Sequence, residues 1–308
     1  MDPLDAASPG HSNDQRPAAP SAPPTGEAAG LTVGGASLED WHQVAEWAAA
    51  EGWNPGRRDV ACFHPTDPAG FFVGRLDGRL VSAVSLVGYS DQYAFLGYYL
   101  VHPEFRRQGL GVATWQAAMP HAGSRLIGLD AVPAQQATYE RSGFTSAYET
   151  IRYAGVPERP HSVATGAVAV TREHIGAIAD YDRHCFPAER RAFVDRWLTA
   201  EGHRSYAWVQ DGQIAGYGVI RPARDGQRLG PLFADSQQGA EALLDALLSH
   251  LGPGENVYLD MPEPNAQAGA LAAARGLKPD SVTTRMYTGP APQTRTDSTY
   301  AVTSLELG

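Results

Sequence analysis

The two halves of this chain show the same landmarks in the same order, and this internal repeat constrains the fold more than any other feature. Asp77-Gly78 and Asp211-Gly212 are strong two-residue hairpin turns, each between apolar segments. Further along, Leu129-Asp130 in the first half has a counterpart in Leu259-Asp260 in the second. A fixed order with nearly constant spacing predicts two copies of one fold rather than two unrelated domains.

A second set of landmarks supports the repeat. Gly143-Phe144 matches Gly276-Leu277, and an arginine follows the second residue of each pair by eight positions, at Arg152 and Arg285. The chain has 308 residues, which is enough for two domains of ordinary size. We therefore expect two copies of an α/β fold, one in each half of the chain.

Segment boundaries follow from composition. Residues 1–30 are rich in Pro, Ala, Ser and Gly, and such a segment cannot bury enough apolar surface to offset its ordering entropy. We expect a disordered tail there, an N-terminal domain over 31–156, a linker over 157–162 and a C-terminal domain over 163–308. In the first domain, apolar patterning predicts strands over 70–76, 80–87, 93–101, 126–129 and 148–153, and helices over 41–50, 109–119 and 134–141.

Bulk composition excludes several classes of function. The net charge of −10 argues against a nucleic-acid partner, because phosphate neutralisation needs clustered Lys and Arg. Only two cysteines occur and neither is in a CxxC pair, so we expect no metal site built on cysteine. There is no run of 18 apolar residues and no signal peptide, which predicts a cytoplasmic protein with no membrane partner.

The segment from Val101 to Ala113 carries the clearest chemical signal. It contains two adjacent arginines, Arg106 and Arg107, and the pair Gly109-x-Gly111 before a predicted helix. The first turn of a helix offers unpaired N–H groups and the positive end of a dipole, so it binds anions, and glycine lets a pyrophosphate approach the backbone. A dinucleotide site needs a third glycine where Thr114 stands, and the Gly-Lys-Ser/Thr of a P-loop is absent.

These residues resemble the signatures of a known family. Arg106-x-x-Gly109-x-Gly111 after Val101-His-Pro103 resembles the pyrophosphate loop of the GNAT superfamily of N-acetyltransferases. Tyr139 followed by Gly143-Phe144 resembles the second signature of that family. The second half resembles that of tandem GNAT proteins through three segments: Cys185-Phe-Pro187, Gly230-Pro-Leu-Phe-Ala-Asp235 and Leu305-Glu-Leu-Gly308. The resemblance implies an α/β (α+β) protein of two tandem GNAT-like domains, each with a mixed, mostly antiparallel sheet flanked by helices.

The resemblance also implies roles for individual residues. Main-chain groups of Leu100 and Val101 would pair with the pantetheine arm of acetyl-CoA, and an amide near Val101 would act as oxyanion donor. Tyr139 would protonate the leaving thiolate as general acid. Val132 departs from the family, in which many members have Asn. The pyrophosphate would be held by Arg106 and Arg107 and by the backbone N–H groups of Gln108, Gly109, Leu110, Gly111, Val112 and Ala113.

The general base has several candidates. Asp130 ends the strand before the Tyr139 helix, although a structural role is the alternative. Glu104 and a chain of water molecules are further candidates, and either Tyr98 or Tyr99 is expected to face the cleft because strand side chains alternate.

The second half is expected to lack this chemistry. Counting back from Asp260, the pyrophosphate loop falls on Ser236–Glu241, where only Gly239 survives. Counting back from Gly276 instead, the position of Tyr139 falls near Ala272. We therefore expect a degenerate copy that shapes the acceptor pocket, with His184 and Cys185 as a core pair. The conceivable acceptor contacts are Asp182, His184, Arg191 and Arg285.

The sequence therefore predicts an enzyme that moves an acetyl group from acetyl-CoA to an amine of a small molecule or peptide in a ternary complex. Two alternatives stay open, an inactive CoA-binding sensor and an acyltransferase that uses a longer acyl-CoA. A homodimer is also left open.

Overall fold

The computed structural model describes residues 30–158 and 166–308. The predicted tail lies outside this range except for Gly30, and the predicted linker is described only at Pro157 and Glu158. The first half contains, in chain order, β1 (Leu31–Gly35), α1 (Leu38–Ala50), α2 (Asp59–Phe63), β2 (Phe71–Leu76), β3 (Arg79–Gly88), β4 (Tyr93–Val101), α3 (Leu110–Ala118), β5 (Leu126–Ala131), α4 (Gln136–Arg141) and β6 (Thr145–Gly155). The second half contains β7 (Ala167–Ala169), α5 (Arg172–Cys185), α6 (Arg191–Thr199), β8 (Arg204–Gln210), β9 (Gln213–Pro222), β10 (Gln227–Ala234), α7 (Gln237–Leu248), β11 (Val257–Pro262), α8 (Ala266–Ala273), β12 (Lys278–Tyr287) and β13 (Thr299–Ala301).

The predicted fold class is confirmed, and local chemistry explains where its elements begin. The side chain of Ser37 accepts a hydrogen bond from the Asp40 amide, and the Asp40 carboxylate accepts one from the Ser37 amide, which caps α1. Both predicted hairpin turns are present, with positive φ at Asp77, Gly78, Asp211 and Gly212. The short elements β1 and α2 were not predicted.

One continuous sheet joins the two halves, and strands β6 and β12 are exchanged between them. The strand order is β1-β2-β3-β4-β5-β12-β6-β11-β10-β9-β8-β7, with β13 paired to β10. Strand β12 of the second half lies between β5 and β6, and β6 of the first half lies between β12 and β11. Each half therefore completes the sheet of the other, while the domain boundaries remain a prediction.

Two buried ion pairs join the halves in a reciprocal way. Arg152 of β6 faces Asp260 of β11, with Nε 2.7 Å from Oδ1. Arg285 of β12 faces Asp130 of β5, with Nη2 2.7 Å from Oδ2. The arginine of each sequence repeat thus pairs with the aspartate of the other repeat. Because these groups are buried, removing one partner leaves an uncompensated charge, at a cost of about 3–5 kcal/mol.

The core is also shared between the halves. Helices α1, α2, α5 and α6 pack into one apolar cluster, in which Phe63 of the first half lies 4.5 Å from Phe193 of the second, centroid to centroid. Two further clusters lie under α3 and α4 and under α7 and α8. No helix in the described part of the chain is long and apolar enough to cross a membrane.

A gap opens in the sheet beside β4. Strands β4 and β5 pair in parallel only at Tyr93–Phe95 against Leu126–Gly128. A register shift between β3 and β4 follows, and Tyr98 takes a φ of 45°. Since a β-bulge bends its strand, the remainder of β4 diverges from β5. The gap lies between 96–101 on β4 and 129–131 on β5.

Candidate active site

The main chain of Val101 faces the gap. The amide of His102 donates to Val81 O at 2.9 Å, so alternation in the antiparallel pair directs the polar groups of Leu100 towards β3 and those of Val101 away from it. In agreement, Val101 O accepts a hydrogen bond from Arg106 Nε at 3.0 Å. The predicted pairing of Leu100 with an added strand is therefore corrected to Val101 alone, because Leu100 already faces its neighbour in the sheet.

The loop after β4 presents a run of free backbone N–H groups. Among the described residues, none of the N–H groups from Arg107 to Val112 has an acceptor. Arg107 and Gly109 have φ of 62° and 80°, and Gly109 is the N-cap of α3. Successive N–H groups in such left-handed turns form a concave site for anions. The Ala113 amide already donates to Gly109 O, at 3.1 Å. Ala113 therefore drops out of the predicted set of pyrophosphate-binding N–H groups, and the residues before it remain.

The two arginines of the loop have different surroundings. Arg106 forms an ion pair with Glu51 and holds the loop against the end of α1. Arg107 is exposed and has no ion-pair partner within 30–158 and 166–308. The side chain of Gln108 donates to Glu104 O at 3.4 Å. Arg107 is therefore the loop cation that is free to meet an anionic ligand.

Gly111 lies in the first turn of α3, where there is no room for a side chain. A Cβ there would lie 2.9 Å from Tyr99 Oη and 2.9 Å from Val101 Cγ2. On either side of it, Leu110 is buried and Val112 is 38% exposed. The glycine thus allows the N-terminus of α3 to approach β4 closely.

Tyr139 lies on α4 beside this gap. It is 8% exposed, and its ring packs against Trp115 and Phe144 with centroid distances of 5.8 and 6.0 Å. Burial raises the pKa of Tyr139 well above its ordinary value of 10.0, and the neighbouring Tyr99 adds to this effect. Burial also raises the pKa of Tyr99 to about 12. Tyr139 therefore keeps its proton at neutral pH.

The side chain of Asp130 is fully buried, and both of its carboxylate oxygens accept hydrogen bonds from Arg285, at 2.9 and 2.7 Å. Burial raises the pKa of Asp130, and Arg285 opposes that rise. Burial also acts on Asp260, its counterpart in the repeat, but Arg152 and Arg228 together outweigh it and lower the pKa. The contacts of Asp130 hold β5 to β12, and its role as a base stays a prediction. Glu104, the other predicted base, is exposed and ion-paired with Arg79 at 2.7 Å.

A cavity of about 280 Å³ connects these features. One end is formed by Tyr99 and Tyr139 next to the gap, and the other by the exchanged strands and a segment near the end of the sequence. Both Tyr98 and Tyr99 line it, because the bulge interrupts the alternation of β4. The lining residues are Glu51, Gly52, Trp53, Leu96, Gly97, Tyr98, Tyr99, Leu129, Asp130, Val132, Tyr139, Arg152, Asp280, Ser281, Val282, Thr283, Leu305 and Glu306.

Comparison with known proteins identifies this architecture. Residues 38–144 match the acetyltransferase (GNAT) family, and residues 178–301 match an acetyltransferase (GNAT) domain. The holothin acyltransferase of Pseudoalteromonas sp. (strain SANK 73390) is 33% identical over 275 residues, which make up 89% of this chain and 93% of that protein. The chain belongs to the GNAT superfamily. It is a tandem GNAT protein, as predicted. Membership of this family supports the prediction that the protein is an acyltransferase.

Solved structures show the same fold. A candidate acetyltransferase from Pyrococcus horikoshii superposes with a TM-score of 0.77 at 21% identity, covering 91% of this chain and 96% of that one. A tandem GNAT protein from the clavulanic acid biosynthesis pathway, solved without AcCoA, gives a TM-score of 0.58 at 20% identity, covering 85% of this chain and 99% of that one.

The second half of this tandem GNAT protein has a gap that is already filled. Strands β10 and β11 pair in parallel at Gln227–Leu229, and β13 then pairs antiparallel with β10 beyond that point, at Leu232 and Phe233. Asn265, the N-cap of α8, holds the added strand by donating to Thr299 O at 3.2 Å. The position at which a ligand would extend β4 in the first half is thus taken by the protein's own chain in the second.

The second half also lacks the anion loop, for a reason that differs from the predicted one. Only Asp235 and Ser236 separate β10 from α7, and the Ser236 side chain caps the helix by accepting from the Gly239 amide at 3.1 Å. The alignment that placed the loop on Ser236–Glu241 was therefore wrong, because the counterpart of Gly109 is Ser236 and the loop itself has been shortened.

Other predicted acceptor contacts lie outside the cavity. Asp182 forms a buried ion pair with Arg190 at 2.8 Å, and Arg285 holds Asp130. Cys185 is buried, which raises its pKa, so it lacks the features of a thiolate nucleophile. The predicted core pair is wrong for His184, which is exposed. The sequence did not single out Trp53, Thr283 or Glu306 as lining residues. The one available signal was the closing motif Leu305–Gly308.

Proposed function

We propose that this protein is an acyl-CoA-dependent N-acyltransferase that transfers an acetyl group to the amine of a small molecule within a ternary complex. The observation that carries the proposal is a single cavity that joins the open edge of β4 and the buried Tyr139 to a chamber lined by the second half. The chamber is formed by residues 280–283 of β12 and by Leu305 and Glu306. A ligand entering by the gap and another entering the chamber would meet beside Tyr139.

The residues around the gap fit a CoA thioester. The free N–H groups from Arg107 to Val112 and the unpaired Arg107 side chain would hold the pyrophosphate, and the main chain of Val101 would pair with the pantetheine amides. When bound, acetyl-CoA supplies a thioester carbon for an amine to attack and a thiol as leaving group. The Val101 N–H, facing the gap, would donate to the carbonyl oxygen as negative charge develops there.

Tyr139 would complete the reaction as general acid. Its hydroxyl would give a proton to the sulfur as the C–S bond breaks, since the phenol is protonated at neutral pH and lies beside the gap. The packing of its ring against Trp115 and Phe144 fixes the direction of that hydroxyl.

The acceptor would be a compact amine. A cavity of about 280 Å³ is close to the lower end of the range for small-molecule sites, roughly 300–1,000 Å³, which favours a compact acceptor over an extended peptide. The carboxylates of Asp280 and Glu306 on its wall favour a cationic group, since the lining arginine, Arg152, is already paired with Asp260. The name of the holothin acyltransferase makes holothin the first acceptor to test.

The test is thiol release from acetyl-CoA in the presence of holothin and a panel of small amines, with mass spectrometry of the product. We expect one free thiol for each acetylated amine. Binding of acetyl-CoA without thiol release for any amine would refute transfer and favour the CoA-binding sensor. A faster reaction with succinyl-CoA or another longer thioester would refute the acetyl assignment alone.

A further inference from the structure

The closing segment, residues 302–308, enters the first half and ends beside β4. The Val302 amide donates to Asp260 O at 2.8 Å, and the Gly308 amide donates to Ser304 O at 3.1 Å. Further along, Tyr89 Oη donates to Leu307 O at 2.5 Å. Hydrogen bonds therefore fix the segment both before and after Leu305 and Glu306, the two of its residues that line the cavity.

The approach of this segment depends on one glycine in β4. A Cβ at Gly97 would lie 1.7 Å from Glu306 O, so no other residue fits there without moving the segment. Gly97 directly precedes the bulge that opens the gap. The closing segment thus packs directly against β4, the strand that faces the predicted position of the thioester.

The Glu306 side chain is buried and incompletely bonded. It is 4% exposed and lines the cavity. Its Oε2 accepts a hydrogen bond from Ser304 Oγ at 2.5 Å. Its Oε1 has no hydrogen-bond donor within the described residues and forms only a long ion pair, at 3.8 Å, with Arg228 Nη1. One carboxylate oxygen therefore has a lone pair available to a ligand.

The other three carboxylates of the cavity are less suited to receive a proton. Asp130 has both oxygens bound by Arg285. Glu51 is ion-paired with Arg106, and Asp280 is exposed on strand β12. Glu306 alone among them is buried and has one oxygen that accepts no hydrogen bond, its ion pair with Arg228 being long.

The Thr283 hydroxyl is a second polar atom in this cavity that lacks a hydrogen-bond partner, which supports the binding of a polar ligand there. The hydroxyl of Thr283 on β12 is buried without a hydrogen-bond partner, and the residue lines the cavity. Buried polar groups are normally hydrogen-bonded, so an orphan in a cavity wall indicates a ligand or water that completes it.

We propose that Glu306, from the closing segment, is the general base for the acceptor amine. The proposal rests on the acyl-transfer function stated above. An acceptor that arrives as R–NH₃⁺ gives one proton to Glu306 Oε1, and the resulting R–NH₂ attacks the thioester carbon. As the C–N bond forms and the C–S bond breaks, Tyr139 gives its proton to sulfur, and the second amine proton returns to the tyrosine oxygen. The products are an amide, a thiol and one proton that leaves from Glu306 to water.

The experiment compares wild type with Glu306→Gln on two acceptors, one an ammonium at neutral pH and one, of arylamine type, already neutral. We expect kcat/KM to fall on the order of 100-fold for the first acceptor and to change little for the second, since only the first needs a base. The deficit with the first should shrink as pH rises and water deprotonates the amine. Glu263→Gln makes the same chemical change at an exposed site away from the cavity and should match wild type.

Equal losses on both acceptors, or no loss on either, would overturn the proposal. If Glu306→Gln does not fold, Glu306→Asp keeps a charge opposite Arg228 and is scored by the same ratio between acceptors. A wild type that binds acetyl-CoA but acylates neither amine would instead refute the proposed function, so the two failures are distinguishable.

Discussion

Replacing Asp130 with asparagine separates a structural role from a catalytic one. The substitution keeps the size of the side chain but leaves the Arg285 guanidinium buried without a counter-charge, between β5 and β12. Breaking a buried pair in this way costs about 3–5 kcal/mol. At roughly 2–4 °C per kcal/mol, the melting temperature should fall by roughly 6–20 °C. The reciprocal variant Asp260→Asn should fall at least as far, because two arginines, Arg152 and Arg228, lose their partner.

The matched control is the double variant Asp130→Asn with Arg285→Met. Removing both charges should restore much of the lost stability, since a buried ion pair can often be replaced by apolar groups without loss. Thermal unfolding followed by circular dichroism gives the melting temperatures, and initial rates well below them give kcat/KM. We expect the folded Asp130→Asn protein to keep most of its activity. If Asp130→Asn keeps the stability of wild type but loses its activity, a purely structural role for Asp130 is refuted and a role as the base is supported.

Three further predictions follow from single side chains. Tyr139→Phe should lower kcat by roughly 10²–10⁴-fold with little change in acetyl-CoA affinity or melting temperature, because the ring packing is retained; calorimetry and steady-state kinetics check this. Arg107→Ala should raise the Kd for acetyl-CoA roughly tenfold, with a smaller effect at high salt, measured by titration at two ionic strengths. Burial, with Arg221, lowers the pKa of His203 to about 4 from 6.5, so the unfolded chain binds more protons between those values and stability should fall as pH drops from 6.5 to 4. His203→Gln should flatten that dependence in denaturant titrations, and an unchanged slope would count against the assignment.

Local chemistry in the sequence was enough to predict much of the first half. The Asp-Gly turns and the cap at Ser37 each act within a few residues, so their structures follow from their own dihedral preferences and hydrogen bonds. The anion loop is also local, because a left-handed Gly109 before a helix leaves N–H groups free whatever lies around it.

Long-range pairing could not be predicted in the same way. The repeat revealed that Arg152 and Arg285 correspond, but not that each would pair with the aspartate of the other copy; Arg285 and Asp130 are 155 residues apart. The filling of the second gap by β13 and the entry of Glu306 into the cavity depend on where the sheet places distant segments. Even the choice between Leu100 and Val101 required the register of β3 against β4.

The central claim is that the first half holds one acyl-CoA at the N-terminus of α3 and that the second half holds none. Calorimetric titration of acetyl-CoA into wild type, Gly111→Glu and Gly35→Glu tests it most directly. At Gly111 a side chain meets Tyr99 and Val101 and a carboxylate would repel pyrophosphate, whereas at Gly35 nothing lies within 4 Å of an added Cβ. We expect one site in wild type and in Gly35→Glu, and none in Gly111→Glu. Two sites in wild type, or binding that survives in Gly111→Glu, would contradict the account.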